Sequence, residues 1–211
     1  MIMNQFFRVA ILMLSIFSLF DTQSTWAEIK EATITIDASN REAFAFFSFE
    51  AGKVVTIKDQ KTTLQWDLGL KRTEIIVNGG NSGNGKGGVI SLEKAKFSEI
   101  DQAPAEGYIA DTEKLSALAT GDGWYVYTGP PLHHILVRNK AFVIRTAKGN
   151  YAKLFFVGYY KDNKAKTGAG HISITYAYQD DGTLNLFKAN TAMVHAKEKL
   201  VSIWAELKAQ K

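Results

Sequence analysis

The sequence contains no cysteine among its 211 residues. This absence excludes a disulfide framework, thiolate metal sites and a cysteine that could carry a lipid anchor. There is also little excess of charge of one sign, because 25 Lys and Arg residues stand against 21 Asp and Glu residues, which leaves a net charge of +4. Such a balance does not indicate a nucleic acid partner, and it is compatible with anionic small molecules or an acidic envelope surface.

Motifs of common catalytic sites are missing as well. The sequence has no G-x-S-x-G nucleophile elbow and no H-E-x-x-H metal motif. Several of its Asp residues stand at predicted turns or strand edges, where Asp commonly supports a turn. We therefore expect a protein without catalytic residues, which is not an enzyme.

The first 27 residues, MIMNQFFRVAILMLSIFSLFDTQSTWA, have the layout of a secretory signal peptide. One early cation, Arg8, precedes an apolar run over residues 9–20 that is shorter than the roughly 20 residues of a membrane-spanning helix. We expect cleavage after Ala27 and a mature protein, residues 28–211, with no transmembrane segment. This protein would be periplasmic, secreted or associated with the outer membrane, and the lack of cysteine predicts that it is not a lipoprotein.

Short runs of β-branched and aromatic residues predict an all-β fold of many short antiparallel strands. No linker divides residues 28–211, so we expect a single domain. Near its end Met193, Leu200 and Trp204 recur at helical spacing, which predicts an amphipathic helix over about residues 190–208. Residues 97–119 have no clear pattern, and two alternatives stay open for their TEKLSALAT part: a short helix or a loop that lies over the body. The predicted strands are Ala32–Asp37, Phe44–Phe49, Lys53–Lys58, Leu64–Leu70, Thr73–Val77, Gly88–Leu92, Gly123–Tyr127, His134–Val137, Ala141–Thr146, Ala152–Tyr160 and His171–Tyr178.

The glycine-rich stretch VNGGNSGNGKGGVI, residues 77–90, contains a G-x-G-x-x-G pattern at Gly83, Gly85 and Gly88. A phosphate-binding loop needs a strand before it and a helix after it, but the following residues, GVISLEKAKF, favour a second strand. The glycines therefore predict a structural loop between two strands, in which backbone approaches backbone closely.

Six segments carry a resemblance to a known family: TITIDAS (33–39), FFSFEAGKVV (46–55), LQWDLGLKRTEIIVNGGNSGNGKGG (64–88), GDGWYVY (121–127), FVIRTAKGNYAKLFFVGYY (142–160) and ISITYAY (172–178). The most distinctive part is the W-D-x-x-L-x-R block with the glycines that follow it. Together the segments resemble the HmuY-type haem-binding proteins. This resemblance implies an all-β exported protein that captures haem and passes it to an outer-membrane TonB-dependent receptor.

The resemblance implies two iron-binding histidines, but neither of the corresponding positions is His here. The remaining candidates for the iron or ligand site include His133 and His134, of which at most one would face a given pocket if the segment is extended. Tyr125 and Tyr127 alternate on one face of a predicted strand, and tyrosinate is a haem ligand. His171 lies on the polar side of ISITYAY. For each candidate the alternative is an ordinary packed or solvated side chain.

The cations closest in sequence to the distinctive block are Lys71, Arg72 and Lys86. They are candidates for binding the haem propionates, with a solvated surface as the alternative for each. The whole protein also has an alternative from another class. It would then be an envelope structural or interaction module that has the same fold and does not bind haem.

Overall fold

The computed structural model describes residues 29–187 and the single positions 199, 200, 202 and 208. Within residues 29–187, eleven strands pair in antiparallel fashion, which confirms the predicted all-β class. Each predicted strand is present; Gly88–Leu92 has the predicted ends, and the other strands differ at one or both ends. The strands are β1 Lys30–Asp37, β2 Ala45–Ser48, β3 Lys53–Val55, β4 Leu68–Lys71, β5 Glu74–Val77, β6 Gly88–Leu92, β7 Tyr125–Tyr127, β8 Ile135–Val137, β9 Ala141–Arg145, β10 Tyr151–Asp162 and β11 Thr167–Gln179.

The strands form a five-stranded sheet of order β1-β11-β10-β9-β6, a four-stranded sheet of order β3-β2-β4-β5, and a two-stranded ribbon of β7 and β8. Side chains from both larger sheets form one hydrophobic core. Alternation along β11 shows how the sequence selects the inner face. Ile172 and Ile174 are fully buried, whereas the hydroxyl of Ser173 lies 2.7 Å from that of Thr35 on the other face.

Residues 97–119, which had no clear sequence pattern, cover part of the outer face of the five-stranded sheet. Ala141 and Val143 of β9 pack there against Ile100, Ala103 and Leu186. The segment contains two short 3-10 helices and is otherwise irregular; these helices span Phe97–Glu99 and Ala117–Ala119. Because β9 is buried on both faces, it reads in sequence as a continuous apolar run.

Two buried polar side chains hold the distinctive block in place. The Asp67 carboxylate accepts hydrogen bonds from the backbone N–H of Phe49, at 2.8 Å, and from that of Ala147, at 2.9 Å. Burial raises the pKa of Asp67 to about 6. The Asn78 side chain donates to the carbonyl of Trp66 at 2.9 Å and accepts from the N–H of Gly85 at 3.1 Å. These bonds tie β4 and the glycine loop to neighbouring strands.

The glycine loop joins β5 to β6, which confirms its prediction as a loop between two strands. The two strands belong to different sheets, so the loop is also a connection between sheets. A methyl group added at Gly79 would overlap the carbonyl of Gly87, and one added at Gly87 would overlap the backbone of Asn78. The prediction that these glycines permit close backbone approach is therefore confirmed.

Two predictions fall largely outside the described residues. The signal peptide, residues 1–27, lies entirely outside them. Of the helix predicted over about residues 190–208, only Lys199, Leu200, Ser202 and Lys208 are described, and these four have helical backbone. The amphipathic helix and the single-domain boundary at residue 28 therefore stay predictions. Within the described part of the chain, no helix has the length and apolar character needed to cross a membrane.

Candidate functional site

A cleft of about 670 Å³ lies between the far end of the β10–β11 hairpin and the β7–β8 ribbon. Its volume falls within the range of about 300–1,000 Å³ that is usual for small-molecule sites. The wall combines two histidines, two tyrosines and three cations. The lining residues are Arg41, Arg72, Thr73, Leu132, His133, His134, Ile135, Tyr159, Tyr160, Lys166 and Ala169.

One wall of the cleft exists because β10 and β11 continue beyond the regular sheet. The β10–β11 register shifts between Phe156 and Tyr160, which marks β-bulges that redirect the following side chains. The Asn163 side chain holds this irregular end, since its oxygen accepts hydrogen bonds from the N–H groups of Tyr159 and Tyr160, each at 3.1 Å. Both tyrosines thereby line the cleft.

The opposite wall is the turn between β7 and β8. His133 adopts a left-handed backbone conformation with φ of 51°, and its N–H donates to the carbonyl of Gly129 at 2.8 Å. The N–H of His134 donates to the hydroxyl of Thr128 at 3.0 Å. Both histidines line the same cleft, and the expectation that at most one would face a given pocket applied only to an extended segment. The turn is not extended at His133, so the alternation of a strand does not apply there.

Aromatic neighbours contact both imidazole rings. The Tyr127 hydroxyl forms a hydrogen bond with Nδ1 of His133. The His134 ring lies edge-on to the Tyr160 ring, with centroids 6.4 Å apart. The Tyr160 hydroxyl in turn accepts a hydrogen bond from the N–H of Ile135 at 2.9 Å, which joins the two walls.

The cleft is rich in positive charge. Arg41, Arg72 and Lys166 line it, and none of the lining residues that the structure describes is acidic. The Arg72 guanidinium donates to a backbone carbonyl at 2.7 Å and lies 5.9 Å from the Tyr159 ring. Burial raises the pKa of Tyr159 although Arg72 opposes the change, so this phenol is neutral at physiological pH. This excess of positive charge favours an anionic ligand.

The other aromatic and histidine candidates lie outside the cleft lining. Tyr125 packs its ring 5.0 Å from that of Trp124. Tyr127 reaches the cleft only through its hydrogen bond to His133. On the polar side of β11, Nδ1 of His171 lies 2.9 Å from the carbonyl oxygen of Gly168. His171 therefore belongs to a strand-end contact rather than to the cleft.

Of the three candidate propionate cations, only Arg72 lines the cleft. Lys71 forms an ion pair with Glu74 at 3.0 Å. Lys86 is part of the glycine loop, where its N–H donates to the carbonyl of Ala147 at 2.9 Å and its carbonyl accepts from Arg145 at 2.7 Å.

Among the residues of the cleft that sequence reasoning missed, four are charged or aromatic: Arg41, Tyr159, Tyr160 and Lys166. Arg41 and Lys166 lie more than 120 positions apart in the chain and meet only through the packing of the two sheets. Tyr159 and Tyr160 read as ordinary strand residues. No local signal marked the bulge, because adjacent aromatic residues also occur in a regular strand that is buried on both faces.

Comparisons with known proteins agree with this architecture. The family model described as HmuY protein matches residues 40–176.

The crystal structure of the apo HmuY analogue of Tannerella forsythia has 21% sequence identity and a TM-score of 0.56, over 73% of this chain and 98% of that chain. A structure described as a candidate HmuY-like haem-binding protein of Bacteroides vulgatus has 20% identity and a TM-score of 0.52, over 72% and 93%. A candidate lipoprotein of Bacteroides fragilis has 18% identity and a TM-score of 0.52, over 72% and 90%. At these identities the likeness shows the fold. A search of curated protein sequences found no match.

Proposed function

This chain belongs to the HmuY family, as its sequence segments predicted, and from that premise we propose that it binds haem in the cleft beside the β7–β8 ribbon. In the cell it would be an exported binding protein, not an enzyme, that captures haem and passes it to an outer-membrane receptor. The observation that carries the proposal is that two histidines and three cations line one cleft.

The residues present fit the chemical needs of haem. Haem iron takes nitrogen ligands such as imidazole, and the macrocycle needs an apolar or aromatic surface. His133 and His134 supply imidazoles, while Leu132, Tyr159 and Tyr160 supply contact area. The carboxylates of the propionates need cations, which would be the role of the arginines and the lysine of the cleft.

The two histidines would not both bind one iron as a facing pair. His133 and His134 are consecutive residues of one turn, so both would reach a ligand in the cleft from the same wall. We therefore propose one iron ligand from this turn, with the second histidine in another role.

Exposed apolar side chains beside the cleft support a contact with a receptor. Leu132, at the cleft edge, is 60% exposed, and Tyr127 and Leu136 on the ribbon are exposed as well. The predicted signal peptide supports export to the periplasm or cell surface. The absence of cysteine supports a protein that is not a lipoprotein.

The test of the proposed function is a haemin titration followed by absorbance. We expect a saturable shift of the Soret band and a loss of at least about 100-fold in affinity for a His133→Ala/His134→Ala double variant. This exceeds the 10–100-fold typical of removing an outer-shell partner, because the iron ligand itself is lost. A His171→Ala variant is the matched control and should bind as the parent does. If the parent protein does not shift the spectrum in either redox state, the alternative of an interaction module with this fold replaces the proposal.

A second experiment tests the cations of the cleft. We expect the protein to bind haemin about 10-fold or more tightly than haemin dimethyl ester, because the ester cannot form charge-assisted hydrogen bonds. An Arg41→Gln/Lys166→Gln double variant should lose most of this preference. Lys71→Gln and Lys86→Gln variants are controls, since both lysines lie outside the cleft lining. An unchanged preference in the double variant, or its loss in either control, would contradict the placement of the propionates.

A further inference from the structure

The hydrogen bond between Tyr127 and His133 links the ribbon to the cleft wall. The Tyr127 hydroxyl contacts Nδ1 of the imidazole, and the two rings lie 5.8 Å apart with planes inclined by 33°. Tyr127 ends β7, and His133 lies in the turn that leads to β8. The imidazole is thus bonded through Nδ1 to a residue outside the lining, while His133 itself lines the cleft.

The hydrogen bond at Nδ1 determines what the other ring nitrogen of His133, Nε2, can do. A neutral histidine carries one N–H and one lone pair, and the hydrogen bond made by one nitrogen determines which role the other can take. If Nδ1 carries the proton and donates it to the Tyr127 oxygen, the lone pair is at Nε2 and is available to a metal ion. Such an outer partner fixes the ring orientation and makes the ligating nitrogen a stronger donor.

We infer that His133, not His134, is the iron ligand, and that Tyr127 is the positioning residue that holds its proton at Nδ1. The inference rests on the proposed function, because it specifies the ligand in the same cleft. Within residues 29–187, the hydrogen bonds of His134 are made by its backbone, and its ring has an edge contact with Tyr160. His134 therefore lacks the outer partner that His133 has.

The backbone of His133 supports the same assignment independently. Its φ of 51° lies in the left-handed region, which glycine adopts freely and which a side chain such as His adopts at a cost. Strained backbone conformations of this kind are common at functional sites, where they place a side chain that the function needs. A glycine would satisfy this turn, but it could not supply a ligand.

The experiment compares five variants of the purified protein by haemin titration, haem dissociation rate and redox titration. We expect His133→Ala and His133→Gly to lose the Soret shift and His134→Ala to retain it. Since glycine suits this backbone, His133→Gly should unfold at the same or a higher denaturant concentration than the parent, which shows that lost binding is not lost folding. Tyr127→Phe should bind about 10-fold or more weakly and shift the haem potential to a more positive value, because the imidazole becomes a weaker donor. Tyr125→Phe, on the same strand, is the control and should match the parent.

Three results would overturn the inference, and they can be told apart. A Tyr127→Phe variant equal to the parent in affinity, dissociation rate and potential would remove the positioning role, while haem binding by the cleft would stand. Loss of binding in Tyr127→Phe with binding retained in His133→Ala would identify the phenolate as the ligand. Failure of the parent to bind haemin would remove the proposed function together with the inference.

Discussion

Replacing Asp67 with alanine should lower the free energy of unfolding by about 3 kcal/mol, because two buried N–H groups would lose their acceptor. These groups belong to Phe49 and Ala147, which follow strands of the two different sheets. Removing the buried charge offsets part of the loss, whereas the cavity left by the carboxylate adds to it. An Asp67→Asn variant should lose less, since its amide oxygen can still accept one of the two bonds. Urea unfolding at neutral pH measures all three proteins, and a loss below about 1 kcal/mol in the alanine variant would contradict this role of Asp67.

The same carboxylate should make stability depend on pH in a direction opposite to that of most paired carboxylates. Its pKa is raised from 3.8 to about 6, so the folded state binds the proton more tightly than the unfolded state. The part of the stability that comes from protonation of Asp67 is therefore fully present below about pH 4 and is lost as the pH rises to about 6, by about 3 kcal/mol in total, while the hydrogen bonds tested by the alanine variant remain at neutral pH. The difference in unfolding free energy between the parent and Asp67→Asn should change by this amount across that interval. A difference independent of pH would contradict the raised pKa.

Replacing Gly87 with alanine should cost more than about 3 kcal/mol of stability. The added methyl group would overlap the carbonyl and nitrogen of Asn78, and this residue has little freedom to move. Its side chain donates to the carbonyls of Thr63 and Trp66 at 2.8 and 2.9 Å, and its backbone N–H donates to the carbonyl of Asp67 at 3.1 Å. Overpacking against a fixed backbone is among the few mechanisms that give such large losses.

Gly121→Ala is the control for this change. Nothing lies within 4 Å of a methyl group at Gly121, whose φ is 64°. Only the cost of a left-handed backbone then applies, about 1 kcal/mol. Since the backbone of Gly87 is not left-handed, equal losses in the two variants would contradict the large cost of close approach at Gly87.

The strands could be predicted from the sequence because apolar and polar residues alternate along a strand according to which side chains are buried. Two strands, β4 and β11, begin four residues away from their predicted starts, which are the largest errors. The predicted strand over residues 64–70 begins only at Leu68, because Trp66 and Asp67 belong to the buried hydrogen-bond network before it. The glycine loop was recognised as structural because no helix follows it, but its passage between two sheets depends on long-range pairing that no local pattern records.

The cleft could be predicted only in part, because it also depends on contacts between distant parts of the chain. His133 and His134 stood out as adjacent histidines, but their common orientation depends on the left-handed backbone of His133. Lys86 was chosen for its closeness in sequence to the distinctive block, whereas proximity in space selects Arg41 and Lys166 instead. The distinctive block itself includes the loop that connects the two larger sheets. Of the motif residues that mark the family most clearly, only Arg72 lines the cleft, which explains why the block identifies the fold better than the site.

The central claim, that haem occupies the cleft beside the β7–β8 ribbon, is tested most directly by a two-dimensional ¹⁵N–¹H spectrum of the protein with one equivalent of haemin. Ferric iron is paramagnetic and broadens the signals of amides near it. We predict broadening centred on residues 129–135 and 159–160, together with Arg72 and Thr73, and sharp signals from the glycine loop at residues 79–87. An unchanged spectrum, or broadening centred on any other surface, would contradict the account.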